Sequence, residues 1–67
     1  MSPDPSEIKR ARLRAGLTQT QAAEVIYSTK RTWQDWEGGL HQMHPALWEL
    51  FKLKVGSDPR VKLVKRD

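Results

Sequence analysis

A chain of 67 residues, 37% hydrophobic and 30% charged, is long enough for one small domain with a modest core and too short for two. Twelve lysines and arginines against eight carboxylates give a formal charge of +4, which points to a polyanionic partner, most simply nucleic acid and secondarily an anionic membrane surface. The absence of cysteine excludes disulfides and thiolate metal sites, no apolar run approaches the ~20 residues of a membrane span, and "MSPDPSEIKR" lacks the apolar stretch of a secretory signal, so a cytoplasmic protein that gains stability from a second subunit is expected.

The segment "SPDPSE" reads as an irregular lead turning into a helix, with Asp4 at the cap, Pro5 at the first helical position and Glu7 at the third, the arrangement of a capping box. The spacing predicts a first helix from Pro5 to about Ala15. Ile8, Ala11, Arg12 and Ala15 fall on one face, Lys9, Arg10 and Arg14 lie toward solvent, and Gly16 is the stop. Arg12 is the odd member of the apolar face. Thr18 and Gln21 repeat the capping-box spacing, which starts a second helix near Gln19. Ala22, Ala23 and Ile26 give that helix a small-residue inner face that lets another helix approach closely, and Val25 adds apolar area at its edge.

"YST" ends the second helix, and Thr29 caps a third that runs to Glu37 and stops at Gly38 and Gly39. On a wheel at about 100° per residue, Lys30, Arg31, Gln34 and Asp35 gather on one side and Thr32, Trp33 and Trp36 on the other. Base stacking by the tryptophans is the rival reading, but their position opposite the charges assigns them to the core, where they fix the third helix. A fourth helix is predicted from Pro45 to about Lys54, with Leu47, Leu50 and Phe51 inward, Trp48 and Leu53 beside them and Gly56 as its end; in the preceding loop "GGLHQMH", Leu40 and Met43 are expected to close over the core. The last stretch, "SDPRVKLVKRD", fits either a short fifth helix capped by Asp58 or an extended segment with scattered bases.

Two short helices joined through a tight turn, the second with a polar face, is the plan of a helix-turn-helix DNA reader. Residues 8–39, "IKRARLRAGLTQTQAAEVIYSTKRTWQDWEGG", resemble the lambda-repressor-like, or XRE-type, helix-turn-helix family in their basic first helix, "GLTQ", small-residue second helix and "WEGG". The resemblance implies an all-α bundle of four or five short helices. It places a DNA-binding domain at residues 1–56, with the motif at about 18–38 and the recognition helix at about 29–37, followed by a basic tail at 57–67. It implies that Gln19 bonds a DNA phosphate; that Lys30, Arg31 and Gln34 meet base edges and flanking phosphates; and that Arg12 and Glu37 form an ion pair between the first and third helices. Thr18 is expected to help fix register on phosphates, and Thr29 is a further candidate DNA-binding residue. Glutamine can bond adenine in two places, which makes Gln34 the expected base reader. Asp35 lies beside these residues as a candidate DNA-binding residue that either repels phosphate and so sharpens register, or accepts from cytosine, or pairs with Arg31, the last being its default role. Tyr27 departs from the family, which often has glycine in this turn because glycine easily reaches a positive φ there, so the geometry of the turn is the open point.

The expected function is sequence-specific binding of double-stranded DNA as a homodimeric repressor on an inverted repeat, autoregulating a phage or bacterial mobile-element operon. The alternative is a DNA-binding antitoxin or adaptor whose main role is to bind a partner protein through residues 57–67. His41 and His44 are expected to be exposed loop residues rather than metal ligands. With no cysteine nucleophile, no plausible triad and no phosphate-cradling glycine loop, neither catalysis nor a cofactor is expected.

Overall fold

In a computed structural model of the protein, which describes residues 2–55, the first helix, α1 (Pro5–Arg14), starts where the capping pattern puts it. The Glu7 carboxylate accepts a hydrogen bond from the Asp4 backbone N–H at 2.9 Å, and Pro5 fills a position whose missing N–H costs nothing. The second helix, α2 (Gln19–Val25), has its box closed in both directions, the Thr18 hydroxyl accepting from the Gln21 N–H at 3.1 Å and the Gln21 side chain accepting from the Thr18 N–H at 3.0 Å. The third, α3 (Lys30–Gly38), begins on Thr29, whose hydroxyl accepts from the Thr32 N–H at 3.3 Å. The fourth, α4 (Pro45–Val55), completes an all-α architecture with no strand among the described residues.

The first three helices end in the same way. A residue with positive φ follows each, and the next N–H reaches back to a carbonyl in the last turn: Leu17 to Arg12 at 3.1 Å, Ser28 to Ala23 at 2.8 Å and Leu40 to Asp35 at 2.9 Å. Glycine occupies the left-handed position after α1 and α3, whereas after α2 it is Tyr27 at φ 62. The turn thus adopts the geometry that favours glycine, at a conformational cost of about 1 kcal/mol. Lys54 compensates from α4, its Nζ standing 4.4 Å from the Tyr27 ring centre and donating to the Tyr27 hydroxyl and the Val25 carbonyl, both at 3.1 Å. The hydrogen bond and charge of Lys54 also hold the exposed phenol below its ordinary pKa.

The core joins all four helices. Ala22 and Ala23 are fully buried and admit α3 against α2, while Ile8 and Ile26 close its sides. Trp33 meets Trp36 edge-on at 5.6 Å between ring centres and Phe51 of α4 at 4.9 Å. Met43 is fully buried, as a lid should be, but Leu40 is 73% exposed, contrary to expectation, because the left-handed turn at Gly39 carries it away from the core. In α4 the inward side is Phe51 and Val55, with Leu47, Trp48 and Leu50 half-buried; Leu53, expected beside the inner positions, is 69% exposed. Gly56 and the tail at 57–67, with the alternatives of a fifth helix or an extended strand, lie outside the described residues.

His44 has a structural task that the sequence did not suggest. Its Nδ1 accepts the Ala46 N–H at 3.0 Å and its carbonyl takes the N–H groups of Leu47 and Trp48, so it caps α4. Replacing His44 by alanine is expected to lower the unfolding free energy by about 1 kcal/mol, with asparagine or serine restoring most of it. A urea midpoint that does not move in the alanine variant would remove that role.

Candidate nucleic-acid interface

The amphipathic pattern of α3 has one physical outcome: Trp33 and Trp36 are buried against the other helices, so Lys30, Arg31 and Gln34 are held in solvent on the opposite side. Thr29 keeps the start of the helix closed, its hydroxyl committed to Thr32 as a cap. Asp35 is half-buried, with its carboxylate 3.7 Å from Arg31 one turn earlier and 3.9 Å from His41 beyond the helix end. Arg31 is 82% exposed, so this pair is loose and leaves the guanidinium available to a ligand.

Beneath the polar edge lies a network centred on Glu37. Arg12 grips its carboxylate with two bonds, Nε to Oε2 at 2.6 Å and Nη2 to Oε1 at 3.2 Å, and uses Nη1 on the Leu17 carbonyl at 3.1 Å. The Trp33 indole N–H donates to Oε2, and the Gln19 amide donates to Oε1 at 3.2 Å. Burial works to raise the Glu37 pKa and is the largest single influence, but the hydrogen bonds from Arg12, Trp33 and Gln19, together with the charge of Arg12, outweigh it and hold the group below the usual carboxylate range. The arginine on the apolar face of α1 therefore has its partner, and the start of α2 is tied to the end of α3 through the same carboxylate.

The network continues to the surface. Gln34 donates from Nε2 to Oε1 of Gln19 at 3.3 Å, so Gln19 connects the buried ion pair to an exposed side chain of α3. This chain of amides fixes which end of Gln34 is which: with one N–H used, its Oε1 and a second N–H remain free. Among the residues singled out from sequence, Thr18, Gln19 and Lys30 line one recess at the start of α2, and Gln34 joins them through its bond to Gln19; Arg31 is exposed on α3 with Asp35 as its neighbour. Thr29 and Asp35 flank them in structural roles. The link from Gln19 to Gln34 spans 15 positions and carried no signal in the sequence. Among the described residues no cluster of three or more metal-binding side chains occurs, and no helix is long and apolar enough to cross a membrane.

No family model matches the chain. Over 51 residues, 76% of the chain, the sequence is 41% identical to the Type II methyltransferase M.MspI of Moraxella sp. The chain is far shorter than that relative, and the shared stretch makes up 12% of it.

Proposed function

We propose that this chain is a lambda-repressor-like helix-turn-helix module that reads double-stranded DNA with α3 in the major groove. The observation that carries this reading is the exposed edge of Lys30, Arg31 and Gln34 on a helix whose other side is locked by two buried tryptophans. Lys30 and Arg31 supply phosphate or guanine contacts, Thr18 and Gln19 sit where the backbone passes, and Gln34 reads a base. Its free acceptor and N–H match the N6 donor and N7 acceptor that adenine shows in the major groove.

One recognition helix contacts only a few base pairs, so a homodimer on an inverted repeat, with half-sites about 34 Å apart, completes the reading. The exposed Leu53 beside half-buried Leu50 provides apolar area for contact with a second subunit. Occupying a promoter in this way makes the protein a cytoplasmic repressor. The likeness to a methyltransferase favours a second setting, in which the same module guides a larger protein to its DNA. The shared 51 residues are 12% of that relative and too few to hold a catalytic domain, so no reaction is assigned to this chain.

Replacing Gln34 by alanine is expected to cost about 1 to 3 kcal/mol on the preferred duplex and little on random duplex. Titrating both duplexes with the wild type and the variant checks this; equal losses on the two would move Gln34 from base reading to phosphate contact. No retention of any duplex by the wild-type chain at moderate ionic strength would end the proposal.

A further inference from the structure

Among the described residues Tyr27 is the one non-glycine with a positive φ, and the group that holds it comes from outside the helix-turn-helix. The ammonium of Lys54, in the last turn of α4, donates to the Val25 carbonyl and to the Tyr27 hydroxyl, both at 3.1 Å, and stands 4.4 Å from the centre of the Tyr27 ring. One cation thus closes the end of α2, where a helix leaves carbonyls unpaired, and grips the residue that turns the chain toward α3. Lys54 is itself firmly based, since Phe51 and Val55 on either side of it are buried and Phe51 packs on Trp33.

The first turn of α3 lacks such a base. The buried residues of α3 are Trp33 and Trp36, in its middle and later part, whereas Thr29, Lys30 and Arg31 are exposed and Thr32 is half-buried. The tryptophans decide which side of α3 faces out, but its start is placed by the chain that leads into it. That lead is short: Tyr27 with its positive φ, Ser28 with its N–H on the Ala23 carbonyl at 2.8 Å, and Thr29 as the cap. Gln34 has its own brace on Gln19, and Arg31 has only the loose pair with Asp35. The positions of Lys30 and Arg31 therefore follow the turn.

We propose that Lys54 is a positioning residue for the reading edge: clasped on Tyr27 and Val25, it sets where Lys30 and Arg31 stand when α3 meets a duplex. The inference rests on the DNA-binding reading and extends it to a side chain of α4, outside the helix-turn-helix. A glycine in the turn would hold the positive φ through its own backbone freedom, so the clasp is needed because the turn carries a tyrosine. Removing the clasp from the tyrosine turn and from a glycine turn therefore has different consequences.

The test compares Lys54→Met, Lys54→Arg, Tyr27→Gly and the double variant Tyr27→Gly with Lys54→Met. The chain has a single tyrosine, so phenolate absorbance against pH reports Tyr27 alone. Because the hydrogen bond and charge of Lys54 lower that pKa, Lys54→Met should titrate at higher pH than the wild type and Lys54→Arg close to it. In the free protein the amide shifts of Lys30 and Arg31 are expected to move in Lys54→Met and to return in Lys54→Arg, and to differ little between Tyr27→Gly and the double variant. On the preferred duplex Lys54→Met is expected to bind about tenfold more weakly, within the usual range for coupled residues, with a smaller loss on random duplex and an unchanged salt dependence. Tyr27→Phe, which loses only the hydroxyl contact, repeats the amide comparison under a milder change and keeps the test open should Lys54→Met fail to fold. Unmoved amides at Lys30 and Arg31, or a phenol that titrates alike with and without Lys54, would overturn the inference and leave the DNA-binding reading standing. Equal losses on both duplexes with a flatter salt dependence would also overturn it, by making Lys54 a phosphate contact. A wild type that binds no duplex removes the DNA reading alone, and the amides of α3 still decide whether Lys54 places its first turn.

Discussion

Replacing Trp33 by alanine is expected to abolish cooperative folding. The side chain is fully buried, packs on Trp36 and Phe51, and donates its indole N–H to Glu37. Truncating a buried aromatic of this size costs about 3–5 kcal/mol. At the usual ~0.05–0.15 kcal/mol per residue, a chain of 67 residues has about 3–10 kcal/mol to lose, so the change approaches the whole margin. Trp33→Phe fills most of the space and forfeits the indole bond, so it should fold with a lowered melting temperature. Thermal melts followed by circular dichroism separate these outcomes: a broad, featureless alanine trace is expected, and a sharp transition near that of the wild type would show that Trp33 does not hold α3 to the bundle.

The second large effect is expected from Glu37→Gln. Arg12 and Glu37 have side chains only 12% and 8% exposed, and removing the negative partner leaves a guanidinium with little access to water. Broken buried pairs cost about 3–5 kcal/mol; the Leu17 carbonyl that Arg12 retains places this one near 3 kcal/mol. The loss depends on pH in a defined direction. Because the folded protein holds the Glu37 pKa below its unfolded value, protons bind the unfolded chain first as pH falls. The stabilisation is therefore fully present above the ordinary carboxylate pKa and disappears as pH drops through the lower folded value. Denaturant midpoints of wild type and Glu37→Gln should differ widely at neutral pH and converge in acid. Parallel curves, or equal stability at neutral pH, would mean that the ion pair contributes nothing to folding.

Helix starts were the most legible part of the fold, since Pro5, Thr18, Thr29 and Pro45 act through local chemistry and need no knowledge of the rest of the chain. The inward turn of Trp33 and Trp36 was equally readable, because the charges of α3 leave only one side for them. In α4 the apolar residues cover too much of the wheel to mark a single face. Packing chose Phe51 and Val55 and left Leu53 outside. Leu40 was misplaced for a related reason: the direction of a chain leaving a left-handed glycine is not contained in hydrophobicity. Tyr27 shows the reverse case, a turn that keeps its positive φ without the glycine that favours it.

For the interface, sequence supplied the members but not their wiring. Arg12 and Glu37 were paired through the resemblance, whereas the bonds from Gln34 to Gln19 and from Gln19 to Glu37 exist only once α2 and α3 are set at their mutual angle. Gln19 thereby carries two roles, an expected phosphate contact and an observed brace for the side chain proposed to read a base.

The central proposal is that the outer side of α3 meets a duplex. The most direct measurement is to select bound sequences from a random duplex pool and follow amide and side-chain shifts of the protein as the recovered duplex is added. Recovery of a common half-site with adenine among its fixed positions is expected, with the largest shifts at Gln19, Lys30, Arg31 and Gln34. A pool that yields no common sequence, or shifts gathered around Leu53 on α4 while α3 stays unperturbed, would contradict it.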